Sequence, residues 1–223
     1  MDNKNKKETN AVKETGASDL LSKQKEFSDI YFANIKREGA EELFAWLLKS
    51  GFFEAPVSDR GYGAKKGALV ERAVDTYRFL SDVNMRLKTP YPDESIAIVG
   101  LLGDIYLTNA FRETTKKRKT EEGKWETVPA YEKVNNFLVG AGEKSVIMLQ
   151  SFFRSQFVPV KGENAVKSGM TNDEIMAIRW HLGEADPLIR NGVYSLDEIF
   201  RQSKLAYLAA KAASDVRYIR FLV

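Results

Sequence analysis

Apolar residues recur at helical spacing along most of this chain of 223 residues, and this periodicity limits the fold to packed α-helices. The run from Ile96 to Leu107 is apolar almost throughout, so its helix belongs at the centre of the fold. Capping-box patterns, Thr171-x-x-Glu174 and Ser195-x-x-Glu198, predict where the last two helices begin. The predicted helices span about 18–39, 40–49, 67–87, 93–105, 142–157, 172–183 and 196–220.

The pattern changes between Arg112 and Lys133, where Thr, Lys, Trp and Val surround the dipeptide Glu122-Gly123. Short β-prone segments on both sides of such a turn predict a β-hairpin. Residues 1–17 are polar and lack apolar periodicity, so they are predicted to form a disordered tail. The fold class is therefore mostly α, with one small β-hairpin insertion at about 112–133 in a single helical domain of residues 18–223.

Histidine and cysteine are almost missing: the chain has one histidine, His181, and no cysteine. Transition-metal sites usually need several imidazole or thiolate ligands, and Ser-His or Cys-His catalysis needs a nucleophile beside a base. One histidine therefore supports few of these mechanisms, although a carboxylate-only site for magnesium or manganese stays open. The lack of cysteine also suits a reducing cytosol.

The charges are nearly balanced, with 34 basic and 31 acidic residues and a formal net charge of +3. A protein that binds long nucleic acids would gather basic side chains on one face, so no such partner is expected. The basic run at 116–119 precedes Glu121 and Glu122, which favours a solvated hairpin edge over a phosphate-contacting patch. No apolar run reaches the roughly 18 residues that span a bilayer, so we expect a cytoplasmic protein without membrane contact.

Three charged residues lie in segments that otherwise predict core. Asp104 interrupts the apolar run, Arg72 lies in the helix at 67–87, and Asp215 follows a run of alanines in the last helix. Buried charges are costly unless they are paired. If the three helices meet, Arg72 between two carboxylates forms a mutually satisfied cluster; in the alternative, each residue faces water.

Five segments between residues 50 and 220 match, in order, motifs of one known family. They are Ala55–Ser58 with Tyr62–Gly63 and Gly67–Arg72 (AP-A-S, HG and GGL-x-EH), Leu101–Asp104 (LLHD), Gly140–Ser145 (GHGEKS), Ile178–Gly183 (IRWH-x-G), and Ala206–Asp215 (the final helix with its metal-binding aspartate). Together they resemble the HD-domain metal-dependent phosphohydrolases, in particular the stand-alone HD proteins of bacteriophages and prophages. The resemblance implies an HD-domain-like helical bundle.

The departures from this family concern its metal ligands. Where the family has histidine, this chain has Tyr62, Arg72, Gly103 and Ala141. The resemblance leaves Asp104 and Asp215 as ligands, with His181 surviving from the outer site. Arg72 places a permanent cation where the family holds a metal, so a guanidinium can neutralise the remaining carboxylates. Without a metal, the activated water is lost, so the resemblance with these departures implies no catalytic residues, no metal centre and no cofactor.

The resemblance thus implies a degenerate, catalytically inactive HD-like domain that binds a phosphorylated, nucleotide-like ligand without turnover. A cyclic nucleotide or an ADP-ribose derivative fits this class, and the phage setting suggests a sponge for a nucleotide signal of host antiviral defence, acting in the host cytoplasm. Arg60 is a further candidate donor. The candidate ligand-binding residues are Tyr62, Lys65, Lys66, Arg72, Asp104, Lys144, Arg179, Trp180, His181 and Asp215.

Two alternatives remain open. In one, the domain is a protein-binding scaffold whose former active site is filled by Arg72 and neighbouring aromatic residues, whereas a ligand receptor should keep a cavity open beside Gly103 and Ala141. In the other, Asp104, Asp215 and His181 hold magnesium and retain phosphohydrolase activity. The sequence also permits a homo-oligomer without specifying one.

Overall fold

A computed structural model describes residues 19–134, 139–154 and 169–222 of the chain, with side chains up to residue 218. The predicted tail at 1–17 lies outside these residues. The described helices are α1 (19–34), α2 (Ala40–Lys49), α3 (Ala68–Asn84), α4 (Asp93–Leu102), α5 (Ala141–Phe152), α6 (Asn172–Trp180), α7 (Pro187–Arg190), α8 (Leu196–Gln202) and α9 (Lys204–Leu222). The strands are β1 (Phe111–Lys119) and β2 (Trp125–Lys133). The predicted mostly α fold with one hairpin is confirmed.

The apolar helix α4 lies at the centre, as its sequence predicts. Every residue from Ser95 to Leu102 is buried, and α4 packs along α3, which in turn contacts α9. Gly100 permits the close crossing of α3 and α4, because a Cβ atom at this position would lie 2.6 Å from the Cα atom of Tyr77. This packing carries the end of α4 to the middle of α3.

The hairpin pairs β1 and β2 in antiparallel register around a turn in which Gly123 has a φ of 81°. Arg112 lies opposite Glu132, and Arg118 lies opposite Glu126, and both pairs form exposed ion pairs. The described contacts of the hairpin are mainly between its own two strands. It therefore takes no part in the site described below.

The prediction of one continuous helix at 196–220 is wrong. It breaks at Ser203, whose backbone is extended, with φ −138° and ψ 110°. The Ser203 hydroxyl donates to Asp173 Oδ1 at 2.7 Å and accepts from the backbone N–H of Ala206 at 3.3 Å, so this side chain caps α9. Ser203 therefore separates α8 from α9, and its partner Asp173 lies 30 residues earlier in the chain.

The two predicted capping boxes have different outcomes. The Thr171–Glu174 box is confirmed, since each side chain bonds the other residue's backbone N–H. Ser195 precedes α8 but makes no capping hydrogen bond, so that box is wrong.

The predicted end of the helix at 142–157 lies outside the described residues, which end at 154 in this segment. Within the described ranges, every helix falls short of the length and apolarity that a bilayer crossing requires.

Candidate functional site

The site is centred on Asp104, a buried carboxylate just after α4. Asp104 Oδ2 lies 2.9 Å from Nε of Arg72, which projects from α3. Asp104 Oδ1 lies 3.0 Å from Nε2 of His181, which directly follows α6. The two oxygens therefore face two different cationic side chains, and the site forms where the core helices bring α3, α4 and α6 together.

His181 is held at both ring nitrogens and is 4% exposed. Its Nδ1 lies 2.7 Å from the carbonyl oxygen of Ile178, and its Nε2 faces Asp104. Both partners are oxygen acceptors as long as Asp104 is ionised. The ring is thus fixed in position between Ile178 and Asp104, and its interaction with Asp104 stabilises the ionised carboxylate.

The environment keeps Asp104 ionised. Burial alone would raise the pKa of Asp104, but the charges of Arg72, His181 and Arg217, with the His181 hydrogen bond, hold it well below its ordinary value. The pKa of the neighbouring Tyr106 rises, because this partly buried tyrosine is desolvated and lies near the negative charge of Asp104. A carboxylate that is so stabilised and already occupied at both oxygens is a weak general base.

Arg72 keeps unused hydrogen-bonding capacity. Its Nε is close to Asp104, but neither Nε nor Nη2 makes a well-aligned hydrogen bond to any described residue, although both atoms are buried. Buried donors of a charged group are costly when no acceptor meets them. The guanidinium is therefore held by charge attraction to Asp104 and still has a donor for another acceptor.

A cavity of about 40 Å³ lies beside the Arg72 guanidinium. Its walls include Val57, Tyr62, Glu71 and, from α9, Arg217. Among the described residues, Arg217 forms no ion pair, although its charge acts on Asp104. Two arginines thus border one small cavity.

The acidic wall of this cavity is already neutralised. Lys65 Nζ lies 2.9 Å from Glu71 Oε1 and donates to the Tyr62 hydroxyl at 3.0 Å. Burial alone lowers the pKa of Lys65, but these hydrogen bonds and the Glu71 charge outweigh burial and raise it. Glu71 therefore does not cancel the positive charge of the two arginines.

Asp215 does not join Asp104. Both of its carboxylate oxygens lie 2.9 Å from Lys211 Nζ, one turn earlier on α9. The predicted cluster of one arginine between two carboxylates thus holds for Arg72 and Asp104 only. Arg217 takes the place expected for Asp215, and two residues along a helix turn a side chain by about 200° to the opposite face.

Arg179 and Trp180 form a separate group. Arg179 lies 2.8 Å from Asp186 and 2.6 Å from Glu143, and its guanidinium stacks 3.8 Å from the centre of the Trp180 ring. Trp180 is 7% exposed. These side chains are occupied with one another and join α5 and α6 to the segment before α7.

The remaining predicted residues lie outside the cavity wall. Lys66 forms an exposed ion pair with Glu54 at 3.0 Å. Lys144 is half-buried near the start of α5, where burial lowers its pKa, and it forms no ion pair within the described residues. Gly103 and Ala141, expected to open a cavity, do not line the one beside Arg72.

The donor atoms do not fit the divalent metal that the HD-domain resemblance implies. Asp104 has a cation at each oxygen, His181 directs Nε2 at Asp104, and Asp215 is paired with Lys211. Across residues 19–134, 139–154 and 169–222, no three histidine, aspartate or glutamate side chains gather as a metal-binding group. What the site offers instead is a buried arginine donor without an acceptor among the described residues, beside a small cavity.

Comparison with protein-family models, with curated proteins and with solved structures returned no match. The HD-domain resemblance therefore stays a prediction from the motifs. The chemistry of the site rests on Arg72, Asp104, His181 and Arg217.

Proposed function

We propose that this protein is a catalytically inactive, HD-domain-like receptor that binds a phosphorylated, nucleotide-like ligand without turning it over. The observation that carries the proposal is the Arg72 guanidinium, which is buried beside a cavity with Nη2 lacking an acceptor among the described residues. Phosphate oxygens are strong acceptors that match the planar fork of arginine donors. A phosphate placed there would satisfy Arg72 and also meet Arg217.

The local charge supports an anionic ligand. Arg72, Arg217 and His181 surround a single carboxylate, Asp104, so the cluster has excess positive charge. In a partly buried site, this excess is screened less than at the surface. An anion that enters the cavity would neutralise it.

The same arrangement argues against turnover. Asp104 has a lowered pKa and both oxygens face cations, so it accepts a proton poorly. Hydrolysis by a metal-bound hydroxide needs a ligand set that this cluster does not offer. Binding without hydrolysis is the behaviour of a sponge that sequesters its ligand, such as a nucleotide signal.

A protein-binding scaffold is the second candidate, and the size of the cavity favours it. At about 40 Å³, the space beside Arg72 has room for roughly three water-sized groups at 10–15 Å³ each. That is close to the size of one tetrahedral anion and far below that of a nucleoside. In a scaffold, Arg72 would only neutralise Asp104, and no phosphorylated compound would bind there.

A thermal-shift screen with native mass spectrometry separates the two candidates. The ligands are inorganic phosphate and mono-, di- and cyclic nucleotides, and the variants are Arg72→Met and Arg217→Met. Arg112→Met, on the exposed hairpin, is the matched control. The proposal expects a Tm that rises with the logarithm of ligand concentration in the wild type and in the control, with the ligand recovered intact.

Both cavity variants should weaken this response. Arg217→Met is the more informative of the two, because Arg217 forms no ion pair among the described residues and its loss should disturb folding little. A wild type that responds to no phosphorylated ligand would favour the scaffold. Hydrolysis that disappears in Asp104→Ala would instead identify an enzyme.

A further inference from the structure

A second cavity of about 240 Å³ lies next to the site, between α8, α9 and the turn Gly183–Ala185. Its walls include three aromatic rings, those of Phe200, Tyr207 and Tyr218. Arg217 borders this cavity and also the small cavity beside Arg72. The Arg217 guanidinium therefore lies between the small cavity beside Arg72 and the aromatic cavity.

The aromatic wall is built by helical spacing along α9. Tyr207, Ser214, Arg217 and Tyr218 follow one another at intervals that place them on one helix face, with Ala210 between the rings. Alanine and serine are small, so the space between the two tyrosines stays open. Tyr207 and Tyr218 are 47% and 60% exposed, which leaves ring surface for a ligand.

Phe200 closes one end of the cavity. Its ring lies 5.4 Å from the Tyr207 ring, centre to centre, with an interplanar angle of 75°. A flat ring that enters can stack on one of these side chains and meet the edge of the other, the two geometries that aromatic pairs prefer. Trp180, a candidate ligand-binding residue from the sequence, instead packs against Tyr194 and under Arg179.

Volume and charge limit the ligand. A cavity of 240 Å³ is below the roughly 300–1,000 Å³ of drug-sized pockets, so it admits one ring system with its sugar and no dinucleotide. Lys211 is neutralised by Asp215, and Glu184 adds a carboxylate to the wall. The aromatic cavity therefore disfavours a second phosphate at the far end.

We propose that the ligand is a nucleoside monophosphate, with its phosphate between Arg72 and Arg217 and its base against Phe200 and Tyr207. This assignment rests on the proposed function, which requires only that a phosphorylated ligand binds. It adds the base subsite and the single phosphate. Arg217 is the residue that both parts of the ligand share.

Calorimetric titrations of the full chain test the assignment with three probes: nucleoside monophosphates, ribose phosphate and inorganic phosphate. Stacking on aromatic side chains should make at least one nucleoside monophosphate bind about tenfold more tightly than ribose phosphate. Tyr207→Ala should reduce this preference to less than about threefold, while the affinity for ribose phosphate stays the same. Phe200→Leu, which keeps the apolar volume, should reduce the preference as well.

Trp125→Ala is the control, since Trp125 is an exposed aromatic residue on the distant hairpin. It should leave every affinity unchanged. If all three probes bind equally and depend on Arg72, the proposed function stands and the base subsite is refuted. If no probe binds, the single-phosphate assignment is refuted, and the proposed function is refuted as well if the diphosphates and cyclic nucleotides of the thermal-shift screen also fail to bind. A nucleoside diphosphate or cyclic dinucleotide that binds more tightly than any monophosphate would refute the single-phosphate assignment.

Discussion

At the residue scale, the central feature is a carboxylate held between a guanidinium and an imidazole. Asp104 contacts Arg72 through one oxygen and His181 through the other, and all three side chains are largely buried. Each cation offsets part of the desolvation cost of the carboxylate. The arrangement depends on all three residues, so the loss of one should have a large effect.

Arg72→Met tests this dependence, because it removes the charge and keeps a long apolar side chain. We expect the free energy of unfolding at neutral pH to fall by about 3–5 kcal/mol, the usual cost of breaking a buried ion pair. Arg112→Met, which breaks an exposed pair, should cost at most about 1 kcal/mol. Urea denaturation of both variants measures the difference.

The double variant Arg72→Met/Asp104→Leu tests where the stability cost of Arg72→Met comes from. If the cost comes from an unpaired buried carboxylate, replacing that carboxylate should recover much of the stability. Equal losses in Arg72→Met and Arg112→Met, or no recovery in the double variant, would contradict the pairing.

The pH dependence of stability follows from the lowered pKa of Asp104. A carboxyl whose pKa is lower in the folded state contributes stability above its unfolded pKa of about 3.9, and that stability is lost as pH falls through the folded pKa. The stability advantage of the wild type over Asp104→Asn should therefore be largest above about pH 4 and should shrink at lower pH. Urea denaturation of the wild type and of Asp104→Asn, above and below about pH 4, tests this pH dependence. A stability advantage of the wild type that grows on acidification would contradict the lowered pKa of Asp104.

At the element scale, two serines precede helices and act differently. Ser203 caps α9 and bonds Asp173, whereas Ser195 precedes α8 without a capping bond. The sequence pattern favours the opposite, because Ser195 has a glutamate three residues later and Ser203 does not. Only the tertiary partner of Ser203, on α6, explains the difference.

Ser203→Ala should therefore destabilise the protein by about 0.5–2 kcal/mol, the usual cost of losing an N-cap. Ser195→Ala is the matched control and should change the free energy of unfolding by less than about 0.5 kcal/mol. Chemical denaturation of the two variants compares them. Equal effects would mean that the break between α8 and α9 does not depend on the Ser203 side chain.

At the scale of the whole molecule, apolar patterning predicts the framework well. The central helix α4, the antiparallel hairpin and the α3 segment that holds Arg72 all lie where periodicity and turn residues predict them. The Arg72–Asp104 pair is also predictable, because charged residues inside apolar helices must find partners.

The part of the site on α9 was assigned to the wrong residue. Alanine at 209, 210, 212 and 213 spans an arc of about 160° on one face of this helix, and all four residues are buried. Helical spacing places Arg217 on this face and Asp215 on the opposite one, as the structure has them. Asp215 was expected at the site because it follows the alanines in the chain and resembles the family's last aspartate. The aromatic cavity was missed because its wall also depends on the break at Ser203, which the sequence pattern did not indicate.

Phosphorus NMR of a nucleoside monophosphate titrated with the full chain and magnesium tests the central claim most directly, since one spectrum reports both binding and hydrolysis. We predict that the ligand resonance shifts saturably with the wild type, that Arg217→Met abolishes most of the shift, and that the total ligand signal stays constant on prolonged incubation. A resonance that does not respond to the wild type, or the growth of an inorganic phosphate signal that Asp104→Ala removes, would contradict it.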